Sequence, residues 1–110
     1  TWPKYNYWKA DEKFQDIAKM LGLPHSTPEE AVEAYAKAVY DLGVAVGIKM
    51  NFKDQGIDEK AWKDSLHEIA LLAYEDQCSP ANPRLPMVAD MEEIMADAYY
   101  GYAERPGRRK

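Results

Sequence analysis

Two histidines, one cysteine and nineteen aspartates and glutamates are the residues of this 110-residue chain that could carry metal, nucleophilic or acid–base chemistry. A catalytic metal needs three or more N, O or S ligands converging on one point, and histidine is the commonest of them. His25 stands between Pro24 and Ser26, in a turn. His67 is followed by Glu68, but position 71 is leucine where a second histidine would complete a zincin-type pair on one helical face. The spacing predicts no metal site: His25 reads as a solvated loop residue and His67 as a partly exposed helix residue near Asp64. Glu75 and Asp76 are adjacent, which on a helix points them about 100° apart and sets up no shared-proton pair. No G-x-S-x-G, P-loop or G-x-G-x-x-G run is present, so the singly placed glycines cradle no phosphate.

The run Asp76-Gln77-Cys78-Ser79-Pro80-Ala81-Asn82-Pro83-Arg84-Leu85-Pro86 is different in kind. Three prolines, an asparagine and the one cysteine fall between two helical patterns, so the backbone is stiff and side chains must supply its hydrogen bonds. A rigid loop presenting Cys78 can border a binding cleft. The alternative is that Asp76 and Asn82 cap and turn the chain while Cys78 fills a small core gap, as free cysteines usually do. No base neighbours Cys78 in sequence to activate its thiol, so covalent chemistry is not expected of it.

The elements that position this loop are helices. From Ala10, the apolar residues Phe14, Ile17, Ala18 and Leu21 fall at i, i+3, i+4 and i+7 and predict a helix over 10–21, stopped by Gly22 and Pro24. Thr27, Pro28 and Glu30 form a capping-box signature with proline at the first helical position, and predict a helix over 28–46. Its expected buried stripe is Val32, Tyr35, Ala36, Val39, Leu42 and Val46, with Glu33 and Lys37 paired outside and Gly47 as the stop. Asp58 is a plausible cap for a helix over 59–75 with Trp62, Leu66, Ile69, Ala70 and Ala73 on one face and Glu59 paired with Lys63. A fourth helix over 87–100 should bury Val88, Met91, Ile94, Met95 and Ala98. No segment alternates as a strand would, so the fold class is all-α, a bundle of about four helices. The connections 48–57 and 76–86 are longer than usual for a compact helical unit, and such loops often carry function.

The ends differ from the body. Trp2, Tyr5, Tyr7 and Trp8 place four aromatic rings in the first eight residues, and such rings need a surface to lie on. That surface is either supplied by a missing part of a larger protein or by the helices of this chain. The stretch 102–110 predicts a disordered basic tail, with four of the fourteen lysines and arginines in its last six residues. Since the net charge is −5 with that tail included, the body is strongly acidic and should repel nucleic acid. One cysteine forbids an internal disulfide, and the uncharged apolar stretch Leu42–Ile48 is far too short to span a bilayer. With 46% hydrophobic and 30% charged residues the composition is ordinary for one globular domain, and a cytoplasmic setting is the expectation.

At the proline-rich loop the sequence resembles the C-terminal, all-helical domain of the iron-containing (group III) alcohol dehydrogenases, most of all the alcohol dehydrogenase end of bifunctional aldehyde-alcohol dehydrogenases. The matching element is Asp76-x-Cys78-x-x-x-Asn82-Pro83-Arg84, followed by an apolar helix ending in Tyr99-Tyr100-Gly101. Upstream, Tyr5–Leu23 looks like the family's aromatic segment and A-x-x-L-G-L passage, and Leu42–Ile57 looks like its turn between two helices.

The resemblance implies that 1–110 is part of a larger helical domain in an enzyme reducing aldehydes to primary alcohols with NADH and a divalent iron. It also implies that the isolated chain is inactive. The family's metal ligands, an aspartate and three histidines, would precede Thr1, as would its Gly-rich pyrophosphate motif. Neither His25 nor His67 occupies a ligand position. No catalytic, cofactor-binding or metal residue is therefore assigned, and neither NAD nor Fe2+ is expected to bind the chain alone. Cys78 alone transfers, as a wall of the substrate cleft. The implied partners are the remainder of the parent polypeptide, further copies in a homo-oligomer, and a small alcohol or aldehyde. The competing reading is a free-standing acidic helical module that binds a partner protein through its aromatic N-terminus.

Overall fold

A computed structural model describes residues 1–6 and 9–101. It comprises five α-helices, α1 (Trp2–Asn6), α2 (Asp11–Met20), α3 (Pro28–Ala45), α4 (Glu59–Glu75) and α5 (Val88–Tyr100), with a 3-10 turn at Ser79–Ala81. No strand occurs among the described residues. The helices form two compact units, Thr1–Ile48 and the part beginning at Lys49. Tyr7, Trp8, the side chain of Trp2 and the basic stretch from residue 102 lie outside the described residues.

In the first unit α2 and α1 both pack on α3. Burial of Phe14, Ala18, Ala31 and Val32 follows from the helical period, and the Phe14 and Tyr35 rings meet at 5.9 Å. Thr27 caps α3 from extended backbone, its Oγ1 accepting from the Glu30 N–H at 3.1 Å. The return arm of the box is displaced by one residue: the Glu30 carboxylate accepts from the N–H of Ser26 at 2.9 Å. The short α1 is an element the periodicity did not predict, and it packs on α3 of this same chain. Asn6 is fully buried, and the Lys4 ammonium reaches the Glu33 carboxylate at 2.9 Å. That contact overturns the expected Glu33–Lys37 pair. With Glu33 engaged by Lys4, Lys37 turns one helical turn onward and bonds Asp41 instead.

α2 and α3 end the same way. Gly22 (φ +71) and Gly47 (φ +84) take the left-handed conformation that lets the chain turn back. The N–H of Gly22 then donates to Lys19 and that of Leu23 to Ala18, while Gly47 donates to Val44 and Ile48 to Gly43. These doubled bonds are the Schellman closure, which satisfies carbonyls that would otherwise be orphaned.

The burial expected along α2 and α3 holds only in part. Val32 is buried and Tyr35 and Ala36 are half-buried, but Val39 is 47%, Leu42 65% and Val46 64% exposed, and Leu21 is exposed as well. The reason is length. At about 1.5 Å per residue the ten-residue α2 spans roughly 15 Å and the eighteen-residue α3 roughly 27 Å, so the shorter helix covers the longer one only along its first half.

In the second unit α4 packs on α5. Asp58 caps α4, its carboxylate accepting from the Ala61 N–H at 2.9 Å. Trp62, Ala70, Met91 and Tyr99 are buried, Leu66, Ala73, Val88, Ile94, Met95 and Ala98 are half-buried, and Ile69 is exposed, contrary to its place in the stripe. Tyr99 was not among the expected core residues, yet among the described residues it is the largest side chain fully buried. Its ring stacks on Trp62 at 4.4 Å, and its hydroxyl donates to the Ile57 carbonyl at 2.9 Å. Burying a tyrosine is permissible where the hydroxyl finds such an acceptor.

Gly22→Ala and Gly47→Ala should each destabilise the first unit by about 1–2 kcal/mol, the cost of placing a Cβ in left-handed backbone. No neighbouring atom lies within 4 Å of either added carbon, so the loss is conformational alone. Asparagine, which tolerates that conformation better, should cost less at both sites; urea unfolding midpoints read the difference.

Candidate functional site

The loop after α4 is built by its own side chains. Asp76 leaves α4 in extended backbone (φ −63, ψ 134), and its Oδ1 accepts from the N–H of Cys78 at 2.8 Å. The Ser79 N–H donates to the Asp76 carbonyl at 3.0 Å, and the Ser79 hydroxyl turns back to the Ala73 carbonyl, tying the loop to the last turn of α4. Pro80 sits inside the 3-10 turn, where a missing N–H costs nothing, and the Asn82 side-chain amide donates to the Arg84 carbonyl. Pro86 is buried and closes the loop against the unit, just before α5. At that helix start the Asp90 carboxylate accepts from the Met87 N–H at 2.9 Å.

This frame holds Cys78 with an exposed, free thiol. Asp76 and Asn82 do the capping and turning expected of them. The other long connection is used differently: the N–H groups of Phe52 and Lys53 donate to the carbonyls of Ala98 and Tyr99, both at 3.1 Å, so this loop closes the C-terminal end of α5.

Neither histidine joins Cys78. His25 is exposed, and its Nδ1 lies 2.8 Å from the Leu23 carbonyl. His67 pairs not with Asp64 but with Glu92 of α5, Nδ1 to Oε1 at 2.6 Å, because Lys60 one turn earlier takes the Asp64 carboxylate. Among the described residues no group of three or more histidine, cysteine or carboxylate side chains is placed to hold a metal ion. These residues do not fit a metal centre of their own.

A polar-aromatic cluster at the start of α4 escaped the sequence reading. The Tyr100 hydroxyl donates to Glu59 Oε1 at 2.6 Å, and the Lys63 ammonium meets the same oxygen at 2.8 Å, the expected i, i+4 pair. Tyr100 stands edge-on to both Trp62, at 5.6 Å, and Tyr99, at 4.9 Å. The Trp62 Nε1–H is buried here with no acceptor. The available signal was the Tyr99–Tyr100 doublet one heptad and more past Met91, where two successive tyrosines on a helix must face different neighbours.

The charges in the cluster tune one another. Lys63, and after it Tyr100, holds the Glu59 carboxyl below the ordinary carboxylate range. The contact with Glu59 raises both Lys63 and the Tyr100 phenol, while burial raises the Tyr99 phenol. A lowered Glu59 contributes stability that is present above the unfolded carboxylate value and lost as pH falls through the folded one. Raised Lys63 and Tyr100 contribute stability that is present below their unfolded values and lost as pH rises through the folded ones.

Comparison with known proteins gives this geometry a context. Residues 1–99 match the family described as "Fe-containing alcohol dehydrogenase family, C-terminal". The chain is 76% identical over all 110 residues to an aldehyde-alcohol dehydrogenase of Streptococcus pneumoniae, and covers 12% of it. It is 55% identical over 102 residues, 93% of its length, to aldehyde-alcohol dehydrogenase 2 of Entamoeba histolytica, again covering 12%. A shorter relative, the NADPH-dependent butanol dehydrogenase of Clostridium saccharobutylicum, is 32% identical over 98 residues, which are 89% of this chain and 25% of that protein. The chain thus spans a small part of the curated relatives it matches.

Two measurements check the site. The thermal advantage of the native chain over Glu59→Gln should be present at neutral pH and shrink toward both acid and alkaline pH; a difference independent of pH would contradict the coupling. The Cys78 thiol should react with an aromatic disulfide reagent in the folded chain nearly as fast as in urea.

Proposed function

The chain belongs to the Fe-containing alcohol dehydrogenase family, in its C-terminal part, and from that premise we propose that it works as one segment of a longer polypeptide that reduces aldehydes to primary alcohols with a nicotinamide dinucleotide. The observation that supports this most is the 76% identity over the whole chain to an aldehyde-alcohol dehydrogenase. In this reading residues 1–110 are part of the helical domain and bind neither NAD nor iron. Both groups belong to residues elsewhere in the longer polypeptide. A cytoplasmic, homo-oligomeric enzyme completes the proposal; no helix among the described residues is long and apolar enough to cross a membrane. The alternative of a free-standing interaction module has no observation in its favour.

What this chain would contribute is shape. The stiff loop carrying Cys78 presents an exposed thiol on a backbone fixed by Asp76, Ser79 and Asn82, so it can form an unmoving wall of the substrate cleft. His67 is engaged by Glu92 and His25 lies by the Leu23 carbonyl, so no base is assigned to activate the thiol. The contribution is therefore steric rather than nucleophilic.

The test uses the longer polypeptide of the same reading frame. It should oxidise NADH with short aldehydes, while the 110-residue chain alone should show no turnover and retain no iron after dialysis. In the longer protein Cys78→Ala should leave folding and metal content intact and shift KM or the preference among alcohols by about 1–3 kcal/mol, the size of a small pocket change. Cys78→Phe should penalise large alcohols more than small ones. If both variants leave every kcat/KM unchanged, the wall assignment is wrong.

A further inference from the structure

Indole and phenol are among the side chains most readily oxidised by one electron, and each becomes a strong acid once the electron is lost. Where the hole comes to rest depends on which ring can also give up its proton. In the second unit three such rings touch. Trp62 and Tyr99 stack at 4.4 Å with 20° between their planes, and Tyr100 stands edge-on to Tyr99 at 4.9 Å and to Trp62 at 5.6 Å. These are the spacings of rings in contact, so an electron passes among them with no intervening chain to cross. Their protons are placed differently. The Trp62 Nε1–H, on a residue 8% exposed, is buried with no acceptor among the described residues, so the oxidised indole has no base to receive its proton and keeps its charge. Tyr99 donates to the Ile57 carbonyl, too weak a base to take a proton. Of the three rings Tyr100 alone donates to a carboxylate, Glu59 Oε1 at 2.6 Å, the short distance of an O–H···O− bond and within reach for proton transfer.

We propose that this cluster is a directed trap for one-electron oxidation, in which a hole on Trp62 passes to Tyr100 while the Tyr100 proton passes to Glu59. A radical oxidant first removes one electron from Trp62 and is itself reduced, leaving an indole radical cation. Tyr100 then gives one electron to the indole, its O–H bond breaks, and the proton bonds to Glu59 Oε1. The products are neutral Trp62, a neutral tyrosyl radical and a protonated Glu59, so the positive charge on the indole and the negative charge on the carboxylate disappear together. Lys63 opposes this step, because its ammonium, 2.8 Å from the same oxygen, lowers the affinity of the carboxylate for a proton. Glu59 and Lys63 therefore act in opposite directions, which a purely structural role would not produce. All the groups involved lie on α4 and α5, and the trap is independent of the reaction proposed above.

Pulse radiolysis with the azide radical tests the trap on the 110-residue chain carrying Trp2→Phe and Trp8→Phe, which leave Trp62 as its one indole. Absorbance should show the indole radical decaying into a phenoxyl radical at a rate independent of protein concentration. Glu59→Gln, which removes the base, should slow that step about tenfold or more, Tyr100→Phe should slow it likewise, and Lys63→Gln should speed it. Equal rates in all four proteins overturn the proposal, and so does a Lys63→Gln rate that is not raised. Should a substituted chain fail to fold by circular dichroism, the unsubstituted chain supplies two further readings. Phenoxyl formation should be slower in D2O, since a proton moves with the electron, and a nitroso spin trap located by peptide mass spectrometry should sit on Tyr100 rather than Tyr40, although Tyr40 is 54% exposed and Tyr100 half-buried. The absence of an isotope effect, or trapping in order of exposure, overturns the proposal.

Discussion

A helix end leaves backbone donors or acceptors without partners, and in a chain of short helices these ends are a large share of the structure. How each end is closed decides where the next element goes. Gly22 and Gly47 close α2 and α3 by folding the backbone over the last carbonyls, Thr27 and Asp58 open α3 and α4 by offering side-chain oxygens, and the amides of Phe52 and Lys53 supply from a distance what the end of α5 lacks locally. Asp76 takes the opposite course: it steps out of the helix and spends its carboxylate on the Cys78 amide, which converts a helix end into the first bond of a stiff loop. The position of the candidate site is thus a by-product of termination chemistry.

That chemistry explains which parts of the fold could be read from the residues. Helix spans follow from caps, glycines and period, all local, and those expected over 10–21, 28–46, 59–75 and 87–100 differ from the observed ones by a residue at most at either end. What one helix does to another could not be read so easily. The Glu33–Lys37 pair has ideal spacing and does not form, because Lys4 arrives from α1, an element too short to show a period. His67 likewise finds Glu92, 25 residues away, rather than its sequence neighbour Asp64. The stripe expected on α3 is buried at Val32, half-buried at Tyr35 and Ala36, and exposed at Val39, Leu42 and Val46, because its burial depends on the length of α2, which no pattern within α3 encodes.

For the site, the loop was legible because proline and asparagine spacing is a local signal, and it lies within residues 1–99, which match the family. Whether Cys78 was core or surface was not legible, since a cysteine suits either place; the exposed thiol follows from Asp76 and Ser79 holding the backbone outward. The Glu59–Lys63–Tyr100 cluster was half legible. Its ion pair lies on one helix, but the tyrosine comes from another, and only the packing of α5 on α4 brings the phenol to the carboxylate.

The bonds that join the loop at 52–57 to the end of α5 also impose an order on synthesis. The acceptor carbonyls of Ala98 and Tyr99, and the Tyr99 hydroxyl that reaches Ile57 across 42 residues, are made long after the loop and α4 that they join, whereas α1, α2 and α3 find their partners within the first 48 residues. During vectorial elongation the first unit can therefore pair its helices while α4 still waits for the aromatic ring on which Trp62 stacks. Through that interval the indole of Trp62 is open to water or to a chaperone, and its fluorescence on a stalled nascent chain would report the moment the stack closes.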